Sequence, residues 1–210
     1  MKRLVSLAAL TLLVITVPLL AQSPKGWKVR ADRSTSASDP DAAGAIKFVT
    51  AGSGFHATTP QAAVFWNPAN TITGNYTLKG NFKLLKPSGH TNYYGLVFGG
   101  SDLEGANQNY LYFLVAQDGS WLVKRRNGEA TENVVAKTPS DAVKKPDASG
   151  VSTNALEVRV LADKLEFAVN GTVVGSAPKT GQAAKTDGIY GIRSNHLLDI
   201  EVDGFAAAKR

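Results

Sequence analysis

Apolar and polar side chains alternate over several short stretches of the chain, most clearly near its C-terminus. Residues 156–160, LEVRV, have the period of a β-strand with one buried and one solvated face. Residues 165–169, LEFAV, repeat the pattern after a short turn, and Asn170-Gly171 then supplies a dipeptide that accepts positive φ. We therefore predict two consecutive hairpins over residues 156–175.

Similar stretches recur along the chain. A further hairpin is predicted at 110–126, where Asp118-Gly119 separates two apolar stretches. Additional strands are predicted at 45–50, 62–66, 76–85, 93–99, 133–138, 188–194 and 199–206. Loops rich in Gly, Pro, Ser and Asp separate them, and no long helical period interrupts the series. This order predicts an all-β fold, an antiparallel β-sandwich of the jelly-roll type.

The ordered segments also resemble a known group of domains. The segments are YGLVFGG (94–100), YLYFLVAQDGSWLVKRRNG (110–128), NALEVRV (154–160), LEFAVNGTVVG (165–175), DGIYGIRS (187–194) and DIEVDGFAA (199–207). They resemble concanavalin A-like domains, and among these laminin G-like modules and secreted bacterial 3-keto-disaccharide hydrolase-like domains. The resemblance implies a β-sandwich of the concanavalin A-like lectin and glucanase type. It implies less about function, because that fold carries lectins, glycanases, adhesion modules and spacers alike.

The N-terminus predicts a secretory signal peptide over residues 1–21. A basic start is followed by an uncharged apolar run at 4–20 and then by Ala21. The alternative is a membrane anchor, since a run of 17 residues is at the short limit for spanning a bilayer. We expect a secreted or periplasmic protein in which residues 22–210 form a single domain, with no stable membrane insertion after cleavage.

Charge and cysteine content narrow the range of partners. Residues 22–210 carry 21 Lys and Arg against 17 Asp and Glu, a formal charge of +4, and the densest basic cluster is 124–126. This spread does not predict nucleic-acid binding. The chain has no cysteine, which excludes disulfides and thiolate metal sites. His56, His90 and His196 lie far apart in the sequence without a metal-ligand spacing, so the histidines predict no cofactor.

One face of the 110–126 hairpin is a candidate glycan-binding surface. If Asp118-Gly119 forms a two-residue turn, Tyr110, Tyr112, Trp121 and Arg125 share a face. An aromatic face beside a cation suits a stacked and hydrogen-bonded sugar. The opposite, more apolar face is assigned to the core, with Leu111, Phe113, Val115 and Leu122. The alternative is that both faces are partly buried and the polar groups are structural.

A second group of candidate ligand-binding residues lies at the end of the 188–194 strand. Arg193, Asn195 and His196 offer several donors to a hydroxylated or anionic ligand. Tyr94 and His90 flank another strand entry and are candidates for the same rim. The alternative is an ordinary loop cap in which Asn195 holds a turn.

The loop 99–110 is the candidate calcium site. Asp102, Glu104 and Asn107, with Asn109, carry the oxygen ligands that calcium prefers, although their spacing fits no EF-hand. The alternative is a polar turn region.

No catalytic residues are predicted. Asp199, Glu201 and Asp203 lie on one face of a strand, but the laminarinase-like enzymes of this fold carry Glu-x-Asp-x-x-Glu, and position 206 here is alanine. We interpret the three carboxylates as a solvated strand face. The leading hypothesis is a secreted, non-catalytic module that binds carbohydrate or another extracellular polymer. The alternatives are a glycoside-cleaving enzyme resembling the 3-keto-disaccharide hydrolases, and a structural or adhesion domain with a protein partner.

Overall fold

The computed structural model describes residues 24–34 and 36–210. The predicted signal peptide, residues 1–21, lies outside the described residues. Strands account for most of the described chain, in the order β1 (Lys28–Asp32), β2 (Lys47–Ala51), β3 (Gly54–Thr59), β4 (Ala62–Ile72), β5 (Tyr76–Lys86), β6 (Tyr93–Ser101), β7 (Asn109–Ala116), β8 (Ser120–Asn127), β9 (Ala130–Pro139), β10 (Ser152–Val160), β11 (Lys164–Val169), β12 (Thr172–Pro178), β13 (Gly188–Ser194) and β14 (Leu198–Lys209). A single-turn 3₁₀ helix, Gly181–Ala183, precedes β13. No helix within these residues has the length and apolar character needed to span a bilayer.

The strands form two seven-stranded antiparallel sheets that pack as a sandwich. The first sheet has the order β1-β4-β13-β6-β7-β8-β9, and the second has the order β12-β11-β10-β5-β14-β3-β2. Sequence neighbours such as β6, β7 and β8 pair as hairpins, whereas β13 inserts between β4 and β6. This confirms the predicted all-β jelly-roll sandwich.

The main core lies between the inner faces of the two sheets. In the second sheet Leu156, Val158 and Val160 of β10 point into it, as the alternation predicts. In the first sheet Phe113 of β7 meets Phe167 of β11, with ring centroids 5.2 Å apart. Inter-sheet contacts of this kind bury both apolar faces and account for the two-layer architecture.

The outer face of the first sheet carries a second apolar cluster. Its buried members are Val64, Trp66, Val97, Leu103, Tyr110, Tyr112, Leu114 and Leu122. The central strands of this sheet are therefore apolar on both faces, which is why their sequence reads as a continuous apolar run instead of an alternation. Both faces of the β7–β8 hairpin are therefore buried. This agrees with the alternative given in the sequence analysis and not with an exposed aromatic face.

The turn between β7 and β8 differs from the prediction. Gly119 N donates to Ala116 O at 3.1 Å, and Gly119 has a φ of 85°. Trp121 pairs with Val115 and not with Ala116. A three-residue loop that ends in a left-handed glycine explains this register, and a shift of one residue turns every side chain of β8 to the opposite face. The predicted grouping of Tyr112 with Trp121 and Arg125 is therefore wrong.

The predicted turn at Asn170-Gly171 is confirmed, whereas two strands of the structure were not predicted. Asn170 and Gly171, with φ of 51° and 83°, close the predicted hairpin so that Val169 pairs with Thr172. Strands β1 and β3 were not predicted, because Lys28–Asp32 and Gly54–Thr59 lack a run of alternating large apolar residues. Main-chain hydrogen bonds to β4 place β1 in the first sheet, and those to β2 and β14 place β3 in the second sheet.

Candidate functional site

Three of the predicted ligand-binding residues come together on the outer face of the first sheet. Arg193 Nη1 donates to Tyr110 Oη at 2.9 Å, and the Arg193 guanidinium carbon lies 5.2 Å from the centre of the Tyr112 ring. Arg193 Nη1 also bonds to a carboxylate oxygen of Asp32, to which Tyr110 Oη donates at 3.3 Å. Asp32 belongs to β1, so the sequence prediction missed the carboxylate that holds Arg193.

A surface pocket of about 390 Å³ opens beside this ion pair. We call it the arginine pocket; it is lined by Arg30, Ala31, Asp32, Arg33, Arg126, Glu129 and Arg193. Four guanidinium groups face two carboxylates there, which leaves a formal excess of two positive charges. A partly enclosed pocket with this balance attracts anionic groups, because the surrounding protein focuses the field of the cations.

Neighbouring segments hold two of the guanidinium groups, those of Arg30 and Arg126, in place. Arg30 Nη1 donates to Gly105 O at 2.5 Å. Arg126 Nε donates to Gly128 O at 2.6 Å, and its Nη2 donates to Glu129 Oε2 at 3.0 Å. Side chains fixed in this way lose little further conformational entropy on binding a ligand.

Burial and charge oppose each other at Asp32. Burial disfavours the carboxylate, but Arg193, and to a lesser degree Arg126 and Arg30, outweigh it and hold the pKa of Asp32 below its usual range. Burial raises the pKa of the Tyr110 hydroxyl. The site therefore holds an ionised carboxylate, a neutral phenol and a charged guanidinium at neutral pH.

Arg193 retains hydrogen-bonding capacity. The residue is 9% exposed, and within the described chain its Nε–H has no hydrogen-bond partner. A buried guanidinium N–H without an acceptor is costly, and the bonds of the Arg193 guanidinium to Asp32 and Tyr110 offset that cost.

Other predicted residues lie elsewhere. Trp121 is 2% exposed and packs in the main core against Phe113, with ring centroids 5.9 Å apart. Tyr94 is fully buried in the same core. Arg125 pairs across the hairpin with Leu111, and its Nε donates to Asn109 Oδ1 at 3.3 Å. Tyr94, Trp121 and Arg125 are therefore separated from Arg193 by the thickness or the length of the first sheet.

The candidate calcium residues bond to one another or to neighbouring side chains. Asp102 Oδ2 accepts from Asn107 N at 3.1 Å. Glu104 forms an ion pair with Lys28, and Asn109 Nδ2 donates to Asn127 Oδ1 at 3.1 Å. These contacts account for the loop as a polar turn that spans the end of the sheet, and calcium binding by it stays a prediction.

Asn195 and His196 occupy the turn between β13 and β14. Asn195 N donates to Tyr93 O at 2.8 Å, and Thr59 Oγ1 donates to Asn195 O at 2.7 Å, so Asn195 supports the turn through its main chain. The ring of His196 is 5.2 Å from that of His90. The structure therefore brings together His90 and His196, which the sequence analysis named as candidates for the same rim although they are 106 positions apart.

The three carboxylates of β14 share one outer face of the second sheet, as predicted, but each has its own neighbour. Asp199 bonds His56 Nε2 at 2.5 Å, Glu201 lies 3.5 Å from Lys83 Nζ, and Asp203 accepts from Asn81 at 2.7 Å. A row of cross-strand pairs of this kind fits a solvated strand face.

No family model matches the chain, and no curated protein matches it at a significant level. Among solved structures it is similar to the carbohydrate-binding module CBM66 from Bacillus subtilis, with a TM-score of 0.59 and 11% identity over 88% of this chain and 96% of the module. A protein of unknown function with a galectin-like fold, also from Bacillus subtilis, matches with a TM-score of 0.59 and 15% identity over 89% of this chain and 91% of that one. A putative glycosyl hydrolase from Parabacteroides distasonis matches with a TM-score of 0.55 and 13% identity, over 78% and 90%. These likenesses show the fold, a galectin-like and concanavalin A-like antiparallel β-sandwich.

Proposed function

We propose that this protein is a secreted, non-catalytic module that binds a carbohydrate polymer bearing carboxylate or sulfate groups, and that the arginine pocket holds one such group. The observation that carries the proposal is the set of four guanidinium groups around one surface pocket. The guanidinium fork matches the geometry of a carboxylate or sulfate and can bind it through two parallel hydrogen bonds.

The fold supports a carbohydrate as the rest of the ligand. One similar structure is a carbohydrate-binding module by name, and another has a galectin-like fold. The Tyr110 and Tyr112 rings are 1% and 5% exposed, so they orient Arg193 and do not provide a stacking surface. Recognition in this proposal therefore depends on guanidinium groups, with sugar hydroxyls bound by the pocket rim.

The cross-strand pairing of Asp199, Glu201 and Asp203 favours binding over glycoside cleavage. Hydrolysis needs a free acid and a free base or nucleophile on opposite sides of the scissile bond. Here the carboxylates pair with separate neighbours along one strand face.

The test is a binding assay of the purified protein on carboxylated, sulfated and neutral polysaccharides of similar length, read by calorimetry. Arg33→Ala and Arg126→Ala each remove one pocket cation, and the matched control Arg159→Ala removes a guanidinium from the second sheet. A lost charge-assisted contact costs about 1.5–3 kcal/mol. We therefore expect affinity for the acidic polymer to fall roughly 10- to 100-fold in the pocket variants and to stay unchanged in the control.

Two outcomes would contradict this function. Equal affinity for neutral and acidic polymers would show that the arginine pocket does not determine which polymer is bound. Release of shortened chains from any polymer would show that the protein is an enzyme. Export is tested separately, because the N-terminal residue of protein recovered outside the cytoplasm is expected to be near Gln22.

A further inference from the structure

Three side chains from distant parts of the chain converge at one end of the sandwich. Asp39 lies in the connection between β1 and β2, His90 in the connection between β5 and β6, and His196 in the turn after β13. Their atoms form a nearly equilateral triangle: His90 Nε2 is 3.1 Å from His196 Nε2 and 2.9 Å from Asp39 Oδ1, and His196 Nε2 is 3.1 Å from Asp39 Oδ1. We call these residues the histidine cluster.

A second carboxylate sets the tautomer of His196. Its Nδ1 lies 3.0 Å from Asp41 Oδ1, and a carboxylate oxygen accepts hydrogen bonds, so this contact favours the tautomer with the proton on Nδ1. The Nε2 of the neutral ring then directs a lone pair at the triangle. A carboxylate that orients a histidine whose other nitrogen faces a ligand site is the usual arrangement around protein-bound zinc.

Protons alone do not satisfy the triangle. If the Nε2 atoms of both histidines carried protons, two N–H donors would face each other at 3.1 Å. If either Nε2 lacked a proton, its lone pair would face the lone pairs of the Asp39 carboxylate. Asn92 Nδ2, 3.1 Å from His90 Nε2, is a donor that favours a lone pair on His90, and a bound cation would take the place of this hydrogen bond. A cation above the triangle is attracted by all three atoms at once.

The size and chemistry of the triangle select the ion. An ion about 2.1 Å from each atom, the usual Zn–N and Zn–O distance, would lie roughly 1 Å above the plane. Two imidazole nitrogens and one carboxylate oxygen suit zinc and the neighbouring divalent transition metals, and calcium prefers all-oxygen sites. The side chains of His90 and Asp39 are 45% and 50% exposed, so the remaining coordination position faces solvent.

We propose that Asp39, His90 and His196 form a zinc site with Asp41 as the residue that positions His196. The site joins three connections of the chain, and it leaves one coordination position for water or for an oxygen of a bound ligand. The predicted rim of His90 and His196 is then a metal site and not a direct sugar contact.

The test is zinc binding by the full chain, expressed without a polyhistidine tag, measured by calorimetry and by metal content after dialysis. Wild type is expected to hold one zinc per chain, and cobalt in its place is expected to give the visible absorption of a low-coordinate site. His90→Ala and Asp39→Asn change exposed side chains and should fold normally. Each is expected to lower zinc affinity by at least about 100-fold, the upper end of what losing an outer-shell partner costs.

The matched control is His56→Ala, which removes the histidine of the second sheet. His56 lies beside Asp199 and outside the histidine cluster. The proposal is overturned if wild type holds no zinc at micromolar concentration, or if His90→Ala binds zinc as tightly as His56→Ala. Polysaccharide binding measured with a chelator present reports on the arginine pocket alone, so failure of one proposal is distinguishable from failure of the other.

Discussion

The pair of Arg193 and Asp32 provides the sharpest test of the arginine pocket. Their side chains are 10% and 7% exposed, and both contact Tyr110 Oη. Replacing Asp32 with alanine leaves a buried guanidinium whose remaining favourable contacts are the Tyr110 hydroxyl and the Tyr112 ring. Loss of one partner of a buried ion pair costs about 3–5 kcal/mol. For a domain of this size each kcal/mol lowers Tm by roughly 2–4 °C, so we expect Tm to fall by roughly 6–20 °C.

A double-mutant cycle isolates the interaction. Arg193→Met and Asp32→Ala are measured singly and together by urea unfolding, with the free energy of unfolding as the readout. We expect the double variant to cost less than the sum of the singles, because it removes both buried charges. Strictly additive costs, or a loss below about 1 kcal/mol in Asp32→Ala as for an exposed pair, would refute the reasoning.

The same pair has a defined pH dependence. The pKa of Asp32 is lower in the folded protein than its unfolded value of 3.8. Its contribution to stability is therefore complete above that value and is lost as the pH falls through the lower folded pKa. We expect the stabilities of wild type and Asp32→Ala to converge in acid. A constant difference between them down to the lowest pH at which the protein folds would contradict the ionised pair.

Three further predictions follow from single contacts. Trp121→Ala is expected to cost about 3–5 kcal/mol of unfolding free energy in urea, as for a large core side chain, and an unchanged stability would contradict its place in the core. At Asp118, burial would raise the pKa of the carboxyl group, but hydrogen bonds from Lys137 and Ser120 outweigh it and lower this pKa to about 2. A carboxyl NMR titration should find this midpoint, and Lys137→Met should raise it. Asp41→Asn is expected to weaken zinc binding by about 10- to 100-fold, since it disturbs the orientation of His196 without removing a ligand, and unchanged affinity would show that Asp41 has no positioning role.

The sequence predicts the sandwich wherever one face of a strand is polar. In β10 the charged side chains of Glu157 and Arg159 mark the outer face, and the register that follows is the one observed. Hairpin β7–β8 lacks such a marker, because Tyr112 and Leu114 are buried on its outer face as well. With both faces apolar, only the turn fixes the register, and a two-residue and a three-residue turn are both compatible with Asp118-Gly119.

The candidate sites were predicted only in part, for a topological reason. Arg193, Tyr110 and His196 were recognised by residue type, but the carboxylates that give them a role were not. Asp32 is the last residue of β1, whose sequence, KVRAD, has no strong β pattern, so the strand was not predicted. Asp39 lies in the connection that follows β1. Local sequence does not say which distant loop returns to which strand end, and this pairing decides the chemistry of both sites.

The two sites share one chain segment, and this links their stability. Asp32 serves the arginine pocket, whereas Asp39 and Asp41 serve the histidine cluster. Between them, Ser34 Oγ donates to Asp39 O at 2.6 Å and Ser34 N donates to Asp41 Oδ2 at 2.8 Å. If binding at one site orders this segment, binding at the other site costs less conformational entropy. By linkage the effect is reciprocal, so zinc and an acidic saccharide are expected to raise each other's affinity by the same factor.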